Sequence, residues 1–256
     1  CSNSLKALRI ESAAGLLKEE MRRLDSLLMR CADKCAVPAG GALAVNRDDF
    51  SAMVTKEIRN NPLIEVIEKE VTEIPNNAIT VIAAGPLASE VLSAEIQKIC
   101  GGGLSFFDAA APIVTAESID MEKAFFASRY DKGGDDAYIN CPMNKDEYEA
   151  FYEALVSAER TPLHGVDVQN PKVYEGCMPV EILAQRGHDT LRFGPMKPVG
   201  LRDPRTGHRP WAVLQLRTEN AEKSLYNLVG FQTNLKFPEQ KRVFSMIPAL
   251  HDAEFI

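Results

Sequence analysis

Three cysteines stand where a thiol could act as a nucleophile. Cys177 lies in EGCMPVE, between a glycine and a proline and directly before a predicted helix. The dipole and free N–H groups of a helix N-terminus stabilise a thiolate, so this position favours a reactive cysteine. Cys1 precedes a predicted helix in CSNSLKALRI, and Cys141 precedes a proline and an Asn144-capped helix in INCPMN. For each of them the alternative is an inert, buried thiol.

Cys1 has a further interpretation, because Cys-Ser-Asn is also how a mature bacterial lipoprotein begins. A lipid anchor is normally followed by a flexible polar linker, whereas here a helix is predicted within about a dozen residues. No apolar stretch approaches the ~20 residues that a membrane span requires. The sequence therefore favours a chemical role for Cys1 over a tether and predicts no membrane association.

A metal site is not predicted. Cys31 and Cys35 lie four apart at the end of a helical pattern and share a face, but a metal would need two further ligands nearby. Histidine occurs at only four positions, and the six cysteines form no CxxC pair. Scattered thiols in a chain of this length indicate a reducing compartment, so we expect a cytoplasmic protein.

Two other stretches could bind a ligand. TVIAAGPLAS has the form of a strand that ends where backbone passes close to a cofactor, although no G-x-G-x-x-G loop occurs in the chain. The segment 193–210 concentrates cations in a loop-rich region and is a candidate for contact with phosphate, an ordinary solvated loop being the alternative. Its cationic side chains are Lys197, Arg202, Arg205, His208 and Arg209.

The elements that position these residues follow from hydropathy patterning. Residues 12–35 carry apolar residues at helical spacing and predict one helix, 42–45 predict a strand, and Asp48 is predicted to cap a second helix. Strand-like patterns at 64–74 and 80–85 then lead into a further helix. This alternation predicts a layered α/β domain.

The triple glycine at 101–103 is the predicted domain boundary, and the pattern beyond it is α+β. Strands are predicted at 104–107, 112–115, 124–130, 136–141, 211–217 and 225–231. Composition agrees with a globular protein, since 45% of residues are hydrophobic and 25% are charged. The net charge of -7 argues against wholesale wrapping of nucleic acid but permits a local basic patch.

Taken together, the motifs resemble those of the folate- and FAD-dependent methyltransferases that form 5-methyluridine in tRNA. The matching strings run in family order along essentially all 256 residues. They include CSNSL, VPAGGALAV, EVTEIP, AAGPL, SRYDKG, YINCPM, YEGCMP, LRFGPMKPVGL, DPRTGHRP and YNLVGFQTNLK. The resemblance implies part of a FAD-binding, Rossmann-like domain of the glutathione-reductase type at 1–103 and an α+β insertion domain at 104–256.

The resemblance also implies roles for particular residues. Cys177 and Cys1 occupy the two active-site cysteine positions, with Cys177 assigned to attack on C6 of uracil and Cys1 to the flavin side or the general base, the two roles being exchangeable. Cofactor contacts are implied for Ser2, Asn3, Val71, Gly85 and Pro86. Contacts with RNA phosphate or folate carboxylate are implied for Lys197, Arg202, Arg205 and Arg209.

The family's cofactors and substrate complete the expectation. Methylenetetrahydrofolate supplies the carbon, FAD the electrons and NAD(P)H replenishes them, and the target is a uridine of the tRNA thymine loop. The family's Gly-rich FAD loop should precede Cys1 and a closing FAD segment should follow Ile256, so the isolated chain is expected to be inactive. The alternatives are the same chemistry on ribosomal RNA, or a non-catalytic fragment that binds RNA or a partner protein.

Overall fold

Two antiparallel sheets, with helices against them, make up the mixed α/β fold of this computed structural model. It describes residues 3–85, 88–100, 109–131, 137–161 and 178–256. The triple glycine predicted as a boundary and the strand predicted at 104–107 lie outside these residues. The division into domains at residue 103 therefore stays a prediction.

The first sheet has three short strands. β3 (Ala42–Val45), which confirms the strand predicted there, lies between β1 (Ser4–Ala7) and β2 (Ala36–Val37). Both partners run antiparallel to β3. A small apolar core packs at this sheet, and its fully enclosed members are Met29, Ala32, Cys35, Leu43 and Val45.

The single helix predicted at 12–35 is wrong, because the structure has two helices, α1 (Ala13–Arg23) and α2 (Leu27–Lys34). Asp25 lies between them with a φ of 55°, in the left-handed region that ends a right-handed helix. Leu24, predicted to be part of the apolar face, is exposed beside this break. Hydrophobic spacing identifies a helical face but does not locate a two-residue turn within it.

The helix predicted after the first sheet is confirmed as α3 (Arg47–Arg59), but its capping residue is Asn46 rather than Asp48. The Asn46 side chain accepts hydrogen bonds from the backbone N–H groups of Asp48 and Asp49, at 3.1 and 3.3 Å. The two carboxylates lie in the first turn, where negative charge interacts favourably with the helix dipole.

The strands predicted at 64–74 and 80–85 are not formed in the structure. A strand needs a neighbour for its backbone hydrogen bonds, and no described strand pairs with these segments. Their apolar side chains are consequently exposed, with Ile67 63% and Val81 85% accessible. The helix predicted to follow is confirmed as α4 (Glu90–Cys100).

The second sheet has five strands in the order β4-β8-β7-β6-β5, all antiparallel. Its strands are β4 (Ile113–Thr115), β5 (Phe125–Phe126), β6 (Ile139–Met143), β7 (Ala212–Thr218) and β8 (Leu225–Leu228). These strands confirm the predicted ones near 112–115, 124–130, 136–141, 211–217 and 225–231, with shifted or shorter bounds. The first of them continues into a short helical turn, Ala116–Ser118.

One face of the five-stranded sheet carries the main core. Helix α5 (Lys145–Ser157) begins with the predicted cap, in which Asn144 and Glu147 form a reciprocal capping box. Tyr148, Phe151 and Leu155 of this helix are fully buried among the core residues. Three shorter helices and a turn complete the layer, namely α6 (Val180–Ala184), α7 (Thr190–Phe193), α8 (Phe237–Phe244) and Pro248–Leu250.

The opposite face of the same sheet is polar yet also buried. Along β7, Leu214 and Leu216 belong to the apolar core, whereas the alternate residues Gln215 and Arg217 do not. A buried sheet face lined with such residues requires hydrogen-bond partners. Some of those partners come from the sheet itself and its loops, as Asn140 and Arg129 do, and others come from the region of the first sheet, as Asn3 does. Among the described helices, none is both long and apolar enough to cross a membrane.

Candidate functional site

Four of the predicted site residues lie outside the described residues. They are Cys1, Ser2, Pro86 and Cys177. Their roles stay predictions, and the structure bears on them through the neighbours that it does describe.

Asn3 is the described residue nearest in sequence to Cys1, and it joins the two sheets. It is 4% exposed, and its Nδ2 donates to the backbone carbonyls of Val45 and Thr218, each at 3.1 Å. Its Oδ1 accepts from Nε of Arg217 at 3.1 Å. Both polar atoms of the side chain are therefore engaged by protein. The start of the chain is anchored on the polar face of the five-stranded sheet.

A buried charged network surrounds this anchor. Glu219 forms an ion pair with Arg47 at 2.8 Å and accepts a short hydrogen bond from Nδ2 of Asn227. Arg217 is almost fully buried, and burial lowers the pKa of its guanidinium. The network links helix α3 to strands β7 and β8, so it holds the first sheet against the second.

The polar face extends away from Asn3 through a second arginine. Arg129 donates from Nε to Oε1 of Gln215 at 3.0 Å and from Nη1 to the carbonyl of Val199 at 2.9 Å. Gln215 in turn donates to Oδ1 of Asn140 at 2.9 Å. Burial lowers the pKa of Arg129 too, and no carboxylate among the described residues forms an ion pair with it. Sequence analysis missed these residues, although the alternation of polar and apolar residues in β6 and β7 contains the signal.

Tyr130 follows Arg129 and has an unusual backbone. Its φ is 58° and its ψ 27°, in the left-handed region, within the short turn Arg129–Asp131. The backbone N–H of Tyr130 donates to the carbonyl of Gly200 at 3.0 Å. The ring remains 57% exposed. A non-glycine residue held in this region is a reason to look for a function.

Three cavities lie beside these residues. The first, about 690 Å³, lies between the 7–11 segment with Gly40 and Gly41 on one side and Arg129 and Tyr130 on the other. The second, about 650 Å³, is lined in part by Gly200, Arg202, His208 and Arg209. The third, about 700 Å³, shares His208 and Arg209 with the second and extends to Lys145 and Trp211. We call these three cavities together the trough.

The structure separates the four predicted cations of the 193–210 segment. Arg202, Arg205 and Arg209 line the trough, whereas Lys197 is exposed and lines none of its three cavities. Arg205 is committed to the protein, because it forms a bidentate pair with Asp203 and donates to the carbonyl of Glu122. The contacts predicted for these residues stay predictions, and at Arg205 a ligand would compete with the carboxylate of Asp203.

Asp203 is the residue that organises this loop. Its carboxylate accepts from Nε, Nη2 and the backbone N–H of Arg205 at 2.7 to 2.9 Å, and its own backbone pairs with His208 and Gly207. The hydrogen bond from Arg205 is the main reason why the pKa of Asp203 lies below its usual range.

Replacing Asp203 with asparagine is expected to lower the free energy of unfolding at pH 7 by about 1 kcal/mol, since Arg205 is partly exposed. A carboxylate with a lowered pKa stabilises the fold above its ordinary pKa of about 4, and this contribution is lost as pH falls through the folded pKa. Urea unfolding of both proteins between pH 7 and 3 should therefore show the difference shrinking below about pH 4. A difference that stays constant would contradict the assignment, and Asp252→Asn, at an exposed site, is the control.

The third candidate thiol, Cys141, is unsuited to catalysis. It lies inside β6 opposite Leu214, is fully buried, and burial raises the pKa of its thiol far above the usual range. Cys31 and Cys35 are buried as well, as the alternative interpretation proposed. Within the residues that the structure covers, no group of three or more candidate metal ligands occurs.

The two remaining cofactor candidates lie in the exposed stretch before α4. Val71 is about half exposed, and Gly85 has a φ of 71° with no atom within 4 Å of the place that a Cβ would occupy. Glycine adopts a positive φ of this kind readily, and other residues rarely do.

Comparison with known proteins establishes the family. The family model described as "Glucose inhibited division protein A" matches residues 1–256. The chain belongs to this family. Among solved structures, Aquifex aeolicus GidA in the form II crystal matches with a TM-score of 0.63 at 13% identity, covering 100% of this chain and 47% of that one. This likeness confirms the mixed α/β fold of the glucose-inhibited division protein A family.

Curated relatives are much more similar to this chain in sequence than the solved structure is. The methylenetetrahydrofolate–tRNA-(uracil-5-)-methyltransferase TrmFO of Desulforamulus reducens is 62% identical over 257 residues, and that of Acetivibrio thermocellus is 61% identical. Each alignment covers 100% of this chain and 58% of the relative. The resemblance inferred from the motifs is confirmed, and the chain spans a little over half the length of these relatives.

Proposed function

We propose that the protein to which this chain belongs transfers a one-carbon unit from methylenetetrahydrofolate to C5 of a uridine in the thymine loop of tRNA. The observation that carries the proposal is identity of about 60% along the whole chain to methyltransferases named for this reaction. The same names favour tRNA over ribosomal RNA and an enzyme over a non-catalytic fragment.

The chemistry requires a nucleophilic thiol because C5 of uracil is itself a poor nucleophile. Addition of a thiolate to C6 makes C5 nucleophilic, and a base must afterwards remove the C5 proton. We assign the addition to Cys177 and the partner role to Cys1. Cys141 is excluded from either role by its burial. A uridine within folded RNA must also leave its stack to reach these residues.

FAD is the cofactor of this proposal, and Asn3, Val71 and Gly85 are the described residues that we assign to it. The open, positive-φ turn at Gly85 leaves room for backbone to approach a ligand, and Val71 is accessible. Asn3 uses its side chain within the protein, so we assign it the role of an anchor for this segment rather than a direct contact with the flavin. When bound, FAD supplies electrons that originate from NAD(P)H.

The remaining finer assignments follow from the same proposal. Residues 1–103 would belong to a Rossmann-like FAD domain and 104–256 to an α+β insertion domain, joined through the polar network at Asn3 and Glu219. Unpaired thiols at Cys31, Cys35 and Cys100 accord with a cytoplasmic location. The chain on its own is expected to retain little flavin and to be inactive.

The test uses a protein of the relatives' full length that contains this chain. Incubated with unmodified tRNA, methylenetetrahydrofolate, FAD and NADPH, it should form 5-methyluridine, measured by mass spectrometry of digested nucleosides. Omission of the folate is the control and should abolish the product. Absence of 5-methyluridine from a folded, flavin-loaded preparation would overturn the proposal. Appreciable flavin absorbance in the purified 256-residue chain would contradict the prediction for the chain alone.

A further inference from the structure

We propose that the trough binds an unpaired segment of RNA, with one base stacked on Tyr130 and phosphates held by Arg202, Arg209 and Lys145. This inference rests on the proposed function for its substrate class, and it adds the surface that positions the RNA.

The ring of Tyr130 is presented as a platform. A Cβ built on Gly200 would lie 2.9 Å from Cε1 and Cζ of Tyr130 and 3.0 Å from Cε2. A point equally distant from three atoms of a ring lies over the ring's centre, so Gly200 covers one face. With 57% of Tyr130 exposed, the ring is supported from below and accessible from the cavity side. Gly200 itself has a φ of 83°, so a side chain there would be strained as well as obstructed.

Hydrogen bonds fix the backbone of Tyr130 in its left-handed conformation. Its N–H bonds to Gly200, and the preceding Arg129 is fastened to Gln215 and Val199. These bonds tie the turn to the polar sheet face. Aromatic rings fixed in this way bind bases with little loss of side-chain freedom, and stacking accepts any base.

The cations along the trough are available to an anion. Among the described residues, Lys145 and Arg209 have no carboxylate partner, and Arg202 donates only to the carbonyl of Gly207. Lys145 lies 5.6 Å from the centre of the Trp211 ring, which lines the same cavity. Two carboxylates also line the third cavity, but Glu147 caps α5 and Asp203 pairs with Arg205. In a protein of net charge -7, the cations that have no such partner attract a polyanion locally.

The shape of the trough favours a polymer over a single small ligand. Cations line all three cavities, Arg9 and Arg129 among them in the first, and the Tyr130 ring borders that first cavity, an arrangement that suits a chain of nucleotides. The cavity beyond Tyr130 is walled by residues 7–11, which directly follow β1. An RNA in the trough would thus lead toward the strand that follows Cys1 in the chain.

The experiment measures dissociation constants of the full-length protein for a fluorescent tRNA stem-loop at several salt concentrations. Tyr130→Leu should raise the dissociation constant about 5- to 100-fold without changing its salt dependence, because it removes stacking only. Tyr130→Phe should bind as wild type, and Gly200→Ala should weaken binding by displacing the ring. Arg209→Ala and Lys145→Ala should each reduce the slope of log affinity against log salt by about 0.7 to 1.

Matched controls and a cross-link make the outcome decisive. Phe237→Leu and Lys241→Ala change exposed residues of α8 that line no cavity of the trough, and they should bind as wild type. RNA with 5-iodouridine in the unpaired loop should cross-link to Tyr130 on irradiation.

Unchanged RNA affinity in Tyr130→Leu, alongside normal methylation by wild type, would overturn this inference alone. If Tyr130→Leu weakened the binding of methylenetetrahydrofolate and left RNA binding unchanged, the ring would be a platform for the pterin of the folate, and this inference would also be overturned. Failure of wild type to methylate would overturn the proposed function instead.

Discussion

A full-length protein with Cys177 replaced by alanine is expected to form no covalent complex with RNA that carries 5-fluorouridine at the target position. Its methylation activity should fall by more than about 10⁴-fold, as when a catalytic nucleophile is removed. The reason is that the bond between the thiolate and C6 activates C5. Fluorine at C5 replaces the proton that a base must remove, so the adduct persists once it has formed.

The complex is measured as a slower band on a denaturing gel, in wild type, Cys177→Ala, Cys1→Ala and Cys100→Ala. Cys1→Ala should keep the adduct but lose about 10²- to 10⁴-fold in turnover, the range for removal of a general base. Cys100 is an exposed thiol of α4 with no assigned role, so its variant should match wild type. Loss of the adduct in Cys1→Ala alone would exchange the two roles. An undiminished adduct in both would exclude both cysteines as the nucleophile.

The second large effect concerns stability rather than chemistry. Replacing Glu219 with alanine is expected to lower the free energy of unfolding by about 3 kcal/mol. Glu219 is 5% exposed, pairs with Arg47, and accepts a hydrogen bond from Asn227. Its removal leaves Arg217 buried without its nearby negative charge and Asn227 with an unsatisfied donor, and both changes are costly in a buried setting.

Urea unfolding of the full-length protein measures this effect as a shift of the midpoint at constant slope. The control is Glu222→Ala, which removes the same type of side chain three residues away, at an exposed position in the turn between β7 and β8. It should change the free energy of unfolding by no more than about 0.5 kcal/mol, the usual range for surface substitutions. If Glu219→Ala were equally mild, the polar network would not be what holds the first sheet on the second. Because Asn3 is attached to the same network, the variant should also weaken any activity that depends on Cys1.

Much of the fold was predictable from sequence because it depends on local pattern. Helix α5 could be placed with its Asn144 cap, since a capping residue and an apolar face are both encoded within a few neighbouring positions. The strands that became β4, β7 and β8 were likewise predictable from short apolar runs. The strands predicted at 64–74 and 80–85 were wrong because a strand depends on a partner elsewhere in the chain, and none of the described strands pairs with these segments.

By itself the sequence identified the family and predicted the two active-site thiols, because the motifs that carry the resemblance are contiguous strings that can be read without the fold. Only the tertiary structure showed that Asn3 is an anchor between sheets, that Cys141 is sealed inside a strand, and that Arg205 is bound to Asp203. It alone brought Tyr130 onto Gly200, 70 residues away in the chain. The physical reason is that burial, ion pairing and ring contacts depend on which distant segments meet, and local sequence pattern does not specify that.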